Sequence, residues 1–197
     1  VNRNLVHVDQ MLATQAQRFH ELDLRTPAVA RKAELDDLMA RTVSQQLMVR
    51  DLVMVDASGQ VLAASRPQTR RLGAQAPAGF VGQVLSNPYA GLAMSAPGVN
   101  MLTGDPSVWL ARTIPLGSQR GVFMAEVPVH ELAALLGQGS SRSGRTVTLE
   151  RSDGTLVASM PLAESQVGAM LTPPLDVTVA DGKARLAPGR IASASAL

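Results

Sequence analysis

The sequence predicts an α+β fold: long N-terminal helices packed on a five-stranded antiparallel sheet, followed by a smaller α/β unit. Three observations carry this. Helical periodicity fills the chain up to residue 48. Leu52 to Ser65 then reads as a β-hairpin, with Leu52–Val55 leading into Ser58-Gly59 and Val61–Ala64 leading out. Gly near the tip supplies the positive φ that a primed turn or a G1 bulge needs. The same shape returns at Val147 to Ser159, where superposing Gly59 on Gly154 aligns Met54 with Leu149, Val61 with Leu156, Leu62 with Val157 and Ala63 with Ala158. Two such hairpins suggest two related sheet units in one chain; chance likeness of two short hairpins is the alternative.

In chain order, residues 4–23 form the first expected helix. Leu5, Val8, Leu12, Phe19 and Leu22 fall on a heptad seam, interrupted by polar Gln15. Two readings stand open: a helix laid on its own sheet, or a parallel helix–helix dimer seam. Thr26-Pro27 starts a second helix as N-cap and first helical residue. Its apolar face is Leu35, Leu38, Met39, Val43 and Leu47, with Asp36 and Asp37 on the solvent side. From Arg66 to Pro88 the periodicity fades, leaving a short helix over Phe80–Leu85 or an extended loop across the sheet. Strands follow at Gly91–Ser95, Ser107–Ile114 and Gln119–Val127, the last two joined through Pro115–Ser118. A helix from His130 to Leu136 ends at Gly137, with helices flanking one face of the sheet. Residues 138–145 read as a linker. Beyond the second hairpin, Leu175–Val179 alternates like a strand and 181–197 reads as a helical tail, interrupted by Gly182, Pro188 and Gly189. The expected division is 1–48 helical, 49–137 first sheet unit and 138–197 reduced second unit.

Composition narrows the function. With 46% hydrophobic and 17% charged residues, the chain is globular and builds a real core. Aromatics are 3%, so Leu, Val, Ala and nine Met must fill that core. A net charge of +2 and few stacking rings argue against nucleic acid. The absence of Cys removes disulfides, thiolate nucleophiles and cysteine zinc sites. No run of about 20 apolar residues spans a bilayer. The chain opens at Val1 as though mid-helix and closes on an apolar run from Ile191 to Leu197, which predicts a segment lying between two membrane spans.

The order of elements resembles the extracytoplasmic PAS-like sensor domains called PDC or double Cache, found in bacterial membrane receptors. The resemblance rests on the long first helix, Val55–Ala63, Gly91–Pro97, Gly104 followed by Leu110–Ile114, Gly121–Val127 with Glu131-Leu132, and Ser152–Ala158. It implies a membrane-distal PAS-like sensing unit (49–137), a reduced membrane-proximal unit, and helices leading to two flanking membrane spans. It implies a non-enzymatic sensory domain in the periplasm, part of an inner-membrane protein, without cofactor. The expected output module is a GGDEF/EAL cyclic di-guanylate enzyme or a histidine kinase. A ligand-free dimerisation or protein-interaction module of the same fold is the alternative. The chain departs from the family at Ala76–Phe80, which lacks the charged pair many members carry there.

Arg112 is the leading candidate for ligand contact. Alternation places it with Val108, Leu110 and Ile114, opposite Trp109, Ala111 and Thr113. A guanidinium on an apolar face must be paired or solvated. It either takes a ligand carboxylate or pairs structurally with Asp105, Glu126 or a backbone carbonyl. Trp109 and Tyr89 join apolar bodies to hydrogen-bonding groups and suit a pocket wall, with core packing as the alternative. Met94, Ser95 and Met124 complete the candidate set. The expected partner is a small anionic or amino-acid-like metabolite, with homodimerisation through the N-terminal helix. Hydrolase, phosphate-loop and zinc-protease motifs do not occur, and His7, His20 and His130 are too scattered to form a metal site.

Overall fold

The computed structural model describes residues 2–25, 28–87, 91–139, 146–171, 186–187 and 190–191. Helix α1 (Asn2–Arg25) and helix α2 (Ala28–Ser44) come first. Leu5, Val8, Met11 and Leu12 recur at helical spacing and are buried in one apolar cluster with Leu52, Leu110 and Phe123. Leu12 is 0% exposed. The seam at these positions is therefore turned onto the chain's own sheet. Gln15 is buried at the next turn, its Oε1 without a hydrogen-bond partner. The side chains of Phe19 and Leu22 lie outside the described residues, as does the proposed Thr26-Pro27 cap.

Helix α2 buries Leu35 and Met39 in the same cluster, with Leu38 and Val43 packed at its margin. Two expectations for α2 are corrected. Gln45 and Gln46 donate to the carbonyls of Thr42 and Val43, tightening the last turn, so Leu47 falls out of helical phase and is 96% exposed. Asp36 is half-buried rather than fully on the solvent side: its Oδ1 accepts from the backbone N–H of Ala64 at 3.0 Å.

Strands β1 (Asp51–Val55) and β2 (Val61–Ala64) form the first hairpin, and β7 (Val147–Glu150) and β8 (Leu156–Met160) the second. The two match residue for residue. Val53, Met54 and Val55 pair with Ala64, Ala63 and Val61, with a register shift after Met54. Thr148, Leu149 and Glu150 pair with Ser159, Ala158 and Leu156, shifted after Leu149. At both tips the glycine has φ 86°. Gly59 N–H donates to Asp56, whose own N–H donates to Gln60, and Gly154, Arg151 and Thr155 repeat the pattern.

The main sheet runs β2, β1, β6 (Gln119–Pro128), β5 (Pro106–Leu116) and β3 (Ala93–Met94), with β4 (Gly98–Val99) pairing β5 as a sixth strand. The long pair is β5 and β6, all antiparallel. Strands β3 and β4 are two-residue edges. Pro115 is not in the turn but within β5, opposite Arg120, and Gly117 makes the tight reversal at φ 60°. Gly121 is required by close packing, because a Cβ there would meet Val55 O at 2.6 Å.

Alternation sorts the sheet into two apolar faces. Leu52, Met54, Val108, Leu110, Ile114, Phe123 and Ala125 face the cluster that holds α1 and α2. Val53, Val55, Trp109, Ala111, Val122 and Met124 face a second cluster with Phe80 and Val84. That second face is covered by α3 (Pro67–Leu72) and α4 (Phe80–Ser86). Helices thus cover both faces rather than one, because the apolar residues on each face of β1, β5 and β6 need a partner.

Helix α5 (Val129–Gly139) runs through Gly137 rather than ending there. A Cβ at Gly137 would sit 3.2 Å from Met160 Cε, so the glycine lets β8 pack closely on the helix. Val157 and Ala158 join the same apolar cluster as α1. After β8 comes a short 3₁₀ turn at Glu164–Gln166. The proposed strand at 175–179 and most of the linker lie outside the described residues. The tail is not helical where it is described: β9 (Leu186–Ala187) and β10 (Arg190–Ile191) pair antiparallel.

Candidate functional site

The candidate residues divide between the two sheet faces. Arg112 points to α1, where its Nη1 donates to Asp9 Oδ1 at 2.9 Å. Both side chains are 30% exposed. Its partner is none of those expected, because Asp105 is taken by Arg50 at 2.7 Å. Met94 lies opposite Leu110 and packs on the α1 side. Trp109 and Met124 sit on the α3–α4 face, 2% and 0% exposed, packed with Phe80 and Val84. Ser95 is fully buried, and its Oγ accepts from Trp109 N–H while donating to Ala96 O. Tyr89 lies outside the described residues. Trp109, Met124 and Ser95 therefore come together, and Arg112 and Met94 stand on the other side.

The α3–α4 face is apolar along its length and acidic at one end. Asp51 and Glu126 are register partners on β1 and β6 and are 1% and 2% exposed. Alternation from Val53 and Met124 puts both on this face. Asp51 Oδ1 accepts from Ser65 Oγ, and its Oδ2 accepts from Thr69 Oγ1 of α3. Burial pushes the Asp51 carboxyl above its usual range, and the neighbouring Glu126 adds to this; the Ser65 and Thr69 hydroxyls and Arg66 act against it. Glu126 Oε1 accepts from Asn100 Nδ2 at 2.7 Å and lies 3.6 Å from Arg50 Nη1. Arg50 also reaches Thr103 and Asp105. The Thr103 hydroxyl and then Arg50 hold Asp105 below its usual value. An open cleft of about 440 Å³, lined by Arg66, Gln68 and Leu102, lies beside this end.

This architecture is similar to that of several receptor domains. The extracellular domain of rpHK1S-Z16, assigned as a histidine kinase, matches with a TM-score of 0.60 at 17% identity, covering 86% of this chain and 66% of that one. The ligand-binding domain of the Pseudomonas fluorescens chemoreceptor CtaA, solved with L-isoleucine, matches at 0.53 and 16%, covering 96% and 79%. The sensor domain of the V. cholerae histidine kinase DctB matches at 0.51 and 12%, covering 86% and 74%. The fold is that of the PDC, or double Cache, sensor domains. No protein-family model and no curated protein sequence matches the chain. The chain spans 66% of the length of the first of these structures.

Within this PDC fold, the residues that sequence reasoning missed are Asp51, Ser65, Thr69 and Asn100. Asp51 abuts the apolar run Leu52–Val55, where an acid must be paired when buried. Glu126 carried the same signal inside Val122–Val127 and was weighed only as a partner for Arg112. Nothing in the sequence announced that α3 would bring Thr69 onto Asp51.

Proposed function

We propose that the chain is the extracytoplasmic sensory domain of a bacterial membrane signalling protein, in the periplasm between two spans. The PDC-type fold carries this reading, together with α1 laid along β5 and β6, which gives any change in the sheet a helix to act on. Residues 1–48 act as stalk, 49–137 as distal unit and 138–197 as proximal unit, and the output is a histidine kinase or a GGDEF/EAL module. Among the described residues no helix is long and apolar enough to cross a membrane. The mechanism is a population shift: the stimulus alters packing on the α3–α4 face and biases α1. A coupling of about 1–3 kcal/mol suffices. Trp109, Met124 and Ser95 belong to the receiving face, and Arg112 fixes α1 to the sheet. A dimer through α1 would use its outer face, where Val6, Gln10 and Gln17 are exposed, because Leu5, Val8 and Leu12 are engaged by the sheet.

A second reading is favoured by one observation. Trp109, Met124, Phe80 and Val84 pack together and fill the α3–α4 face. A face so filled suits an interaction module that takes no small ligand. A thermal-shift screen against amino acids and small carboxylates separates the two. A ligand at about 100 times its dissociation constant adds roughly 2.7 kcal/mol. Stabilisation that Trp109→Ala abolishes supports metabolite sensing through this face, and a flat screen supports the interaction module.

A further inference from the structure

The filled face still holds chemistry that needs no cavity. Asp51 and Glu126 are its buried carboxylates, side by side and closed off from water. Asp51 is the less well compensated of the two. Glu126 has a guanidinium and an amide within reach, whereas the direct contacts of Asp51 are the hydroxyls of Ser65 and Thr69. The charged groups around it are few. Arg66, just before α3, attracts its charge, and Glu126 on β6 repels it. Arg50 is committed to Glu126 and Asp105, and His130 of α5 acts on Asp105. From α2, Asp36 holds the Ala64 N–H on the neighbouring strand.

The two hydroxyls are not equivalent. Ser65 Oγ also accepts from Leu52 N–H at 3.0 Å and is held by the sheet. Thr69 belongs to a six-residue helix that has no side-chain N-cap. A carboxylate accepts from both hydroxyls at once, one on each oxygen. A carboxylic acid keeps one oxygen as an O–H donor, so one of the two hydroxyls must turn round or let go. The one free to do so is on α3.

We infer that this face reads protons, with Asp51 as the group that takes up the proton and its bond to Thr69 as the contact that resets α3. The inference rests on the sensory reading above and names the proton as an input acting on the same face. Proton uptake neutralises the Asp51 member of the buried pair, while Glu126 keeps its contacts with Arg50 and Asn100. The rearranged Thr69 contact changes how α3 sits over the sheet.

The test follows the Asp51 carboxyl carbon by NMR through a pH titration of the whole chain, with amide hydrogen exchange of residues 68–72 measured in parallel. The expected midpoint lies above 3.8, the ordinary value. Exchange of α3, corrected for intrinsic chemistry, should differ at least about threefold between the protonated and the deprotonated side of that midpoint and follow it. Asp51→Asn should abolish the difference, and Thr69→Ser should retain it where Thr69→Val does not. A midpoint at or below 3.8, or α3 exchange indifferent to the midpoint, overturns the inference. Both decisive readings come from the unmodified chain, so a variant that fails to fold leaves them intact. A ligand hit in the thermal-shift screen would keep the sensory reading even if the proton input failed.

Discussion

A guanidinium mid-strand among apolar neighbours needs an anion, and Arg112 finds one in Asp9 across the helix–sheet interface. The pair is partly screened at 30% exposure, so its net worth is below about 1 kcal/mol. In a double-mutant cycle of Asp9→Ala and Arg112→Ala read by urea unfolding, we expect a coupling of about 0.5 kcal/mol; a coupling near zero would remove the pair as a tie between α1 and β5. Asp51 sets a pH dependence whose sign is fixed by its raised value. The folded state holds this proton to higher pH than the unfolded state does. Its stabilising contribution is therefore complete below 3.8 and lost as pH rises through the folded midpoint. Asp56, held down first by the Ser58 hydroxyl, does the reverse: it contributes above 3.8 and loses that contribution as pH falls through its lowered value. Melting temperatures of Asp51→Asn should accordingly vary less with pH above 3.8 than those of the parent. Parallel curves would contradict the assignment.

At the scale of elements, the hairpins and the long strand pair were legible because their signals are local. Gly59 and Gly154 mark equivalent turns, and β5 alternates cleanly from Val108 to Ile114. The heptad stripe of α1 was equally visible, but a stripe does not say what covers it. Its burial on β5 and β6 makes a specific prediction. Leu12→Asp places a charge in the core and should cost about 3–5 kcal/mol in equilibrium unfolding, whatever the protein concentration. Dissociation of a stable dimer into folded monomers would instead restore the seam between subunits. Gly137 misled because glycine so often stops a helix, whereas here it gives Met160 room. Ala at Gly121 should destabilise by about 1–3 kcal/mol in the same assay, since Val55 O leaves no space for a Cβ. An unchanged midpoint would show that β1 and β6 can part there.

For the molecule as a whole, the order of elements was enough to point to the PDC fold, and the grouping of candidate site residues was not. The fold depends on periodicity and turn residues, which are written along the chain. The site depends on which side of the sheet each residue takes and on what α3 and α4 bring over it. Trp109, Met124 and Ser95 were placed together by strand alternation and pairing, while Arg112 went to the helix side by the same rule. Contacts such as Thr69 on Asp51 and Arg151 Nη1 on Met94 O, at 2.8 Å, join distant segments without any shared pattern. The second of these ties the tip of the second hairpin to the edge of the main sheet, giving the two sheet units a direct polar link.

The measurement that tests the sensory account most directly is the melting temperature of the whole chain across pH, with and without a panel of amino acids and small carboxylates. At least one input should move it: a ligand, or a proton acting through Asp51 and lost in Asp51→Asn. A melting temperature indifferent to every ligand, with a pH profile that Asp51→Asn leaves unchanged, would contradict the sensory account and leave an interaction module of the same fold.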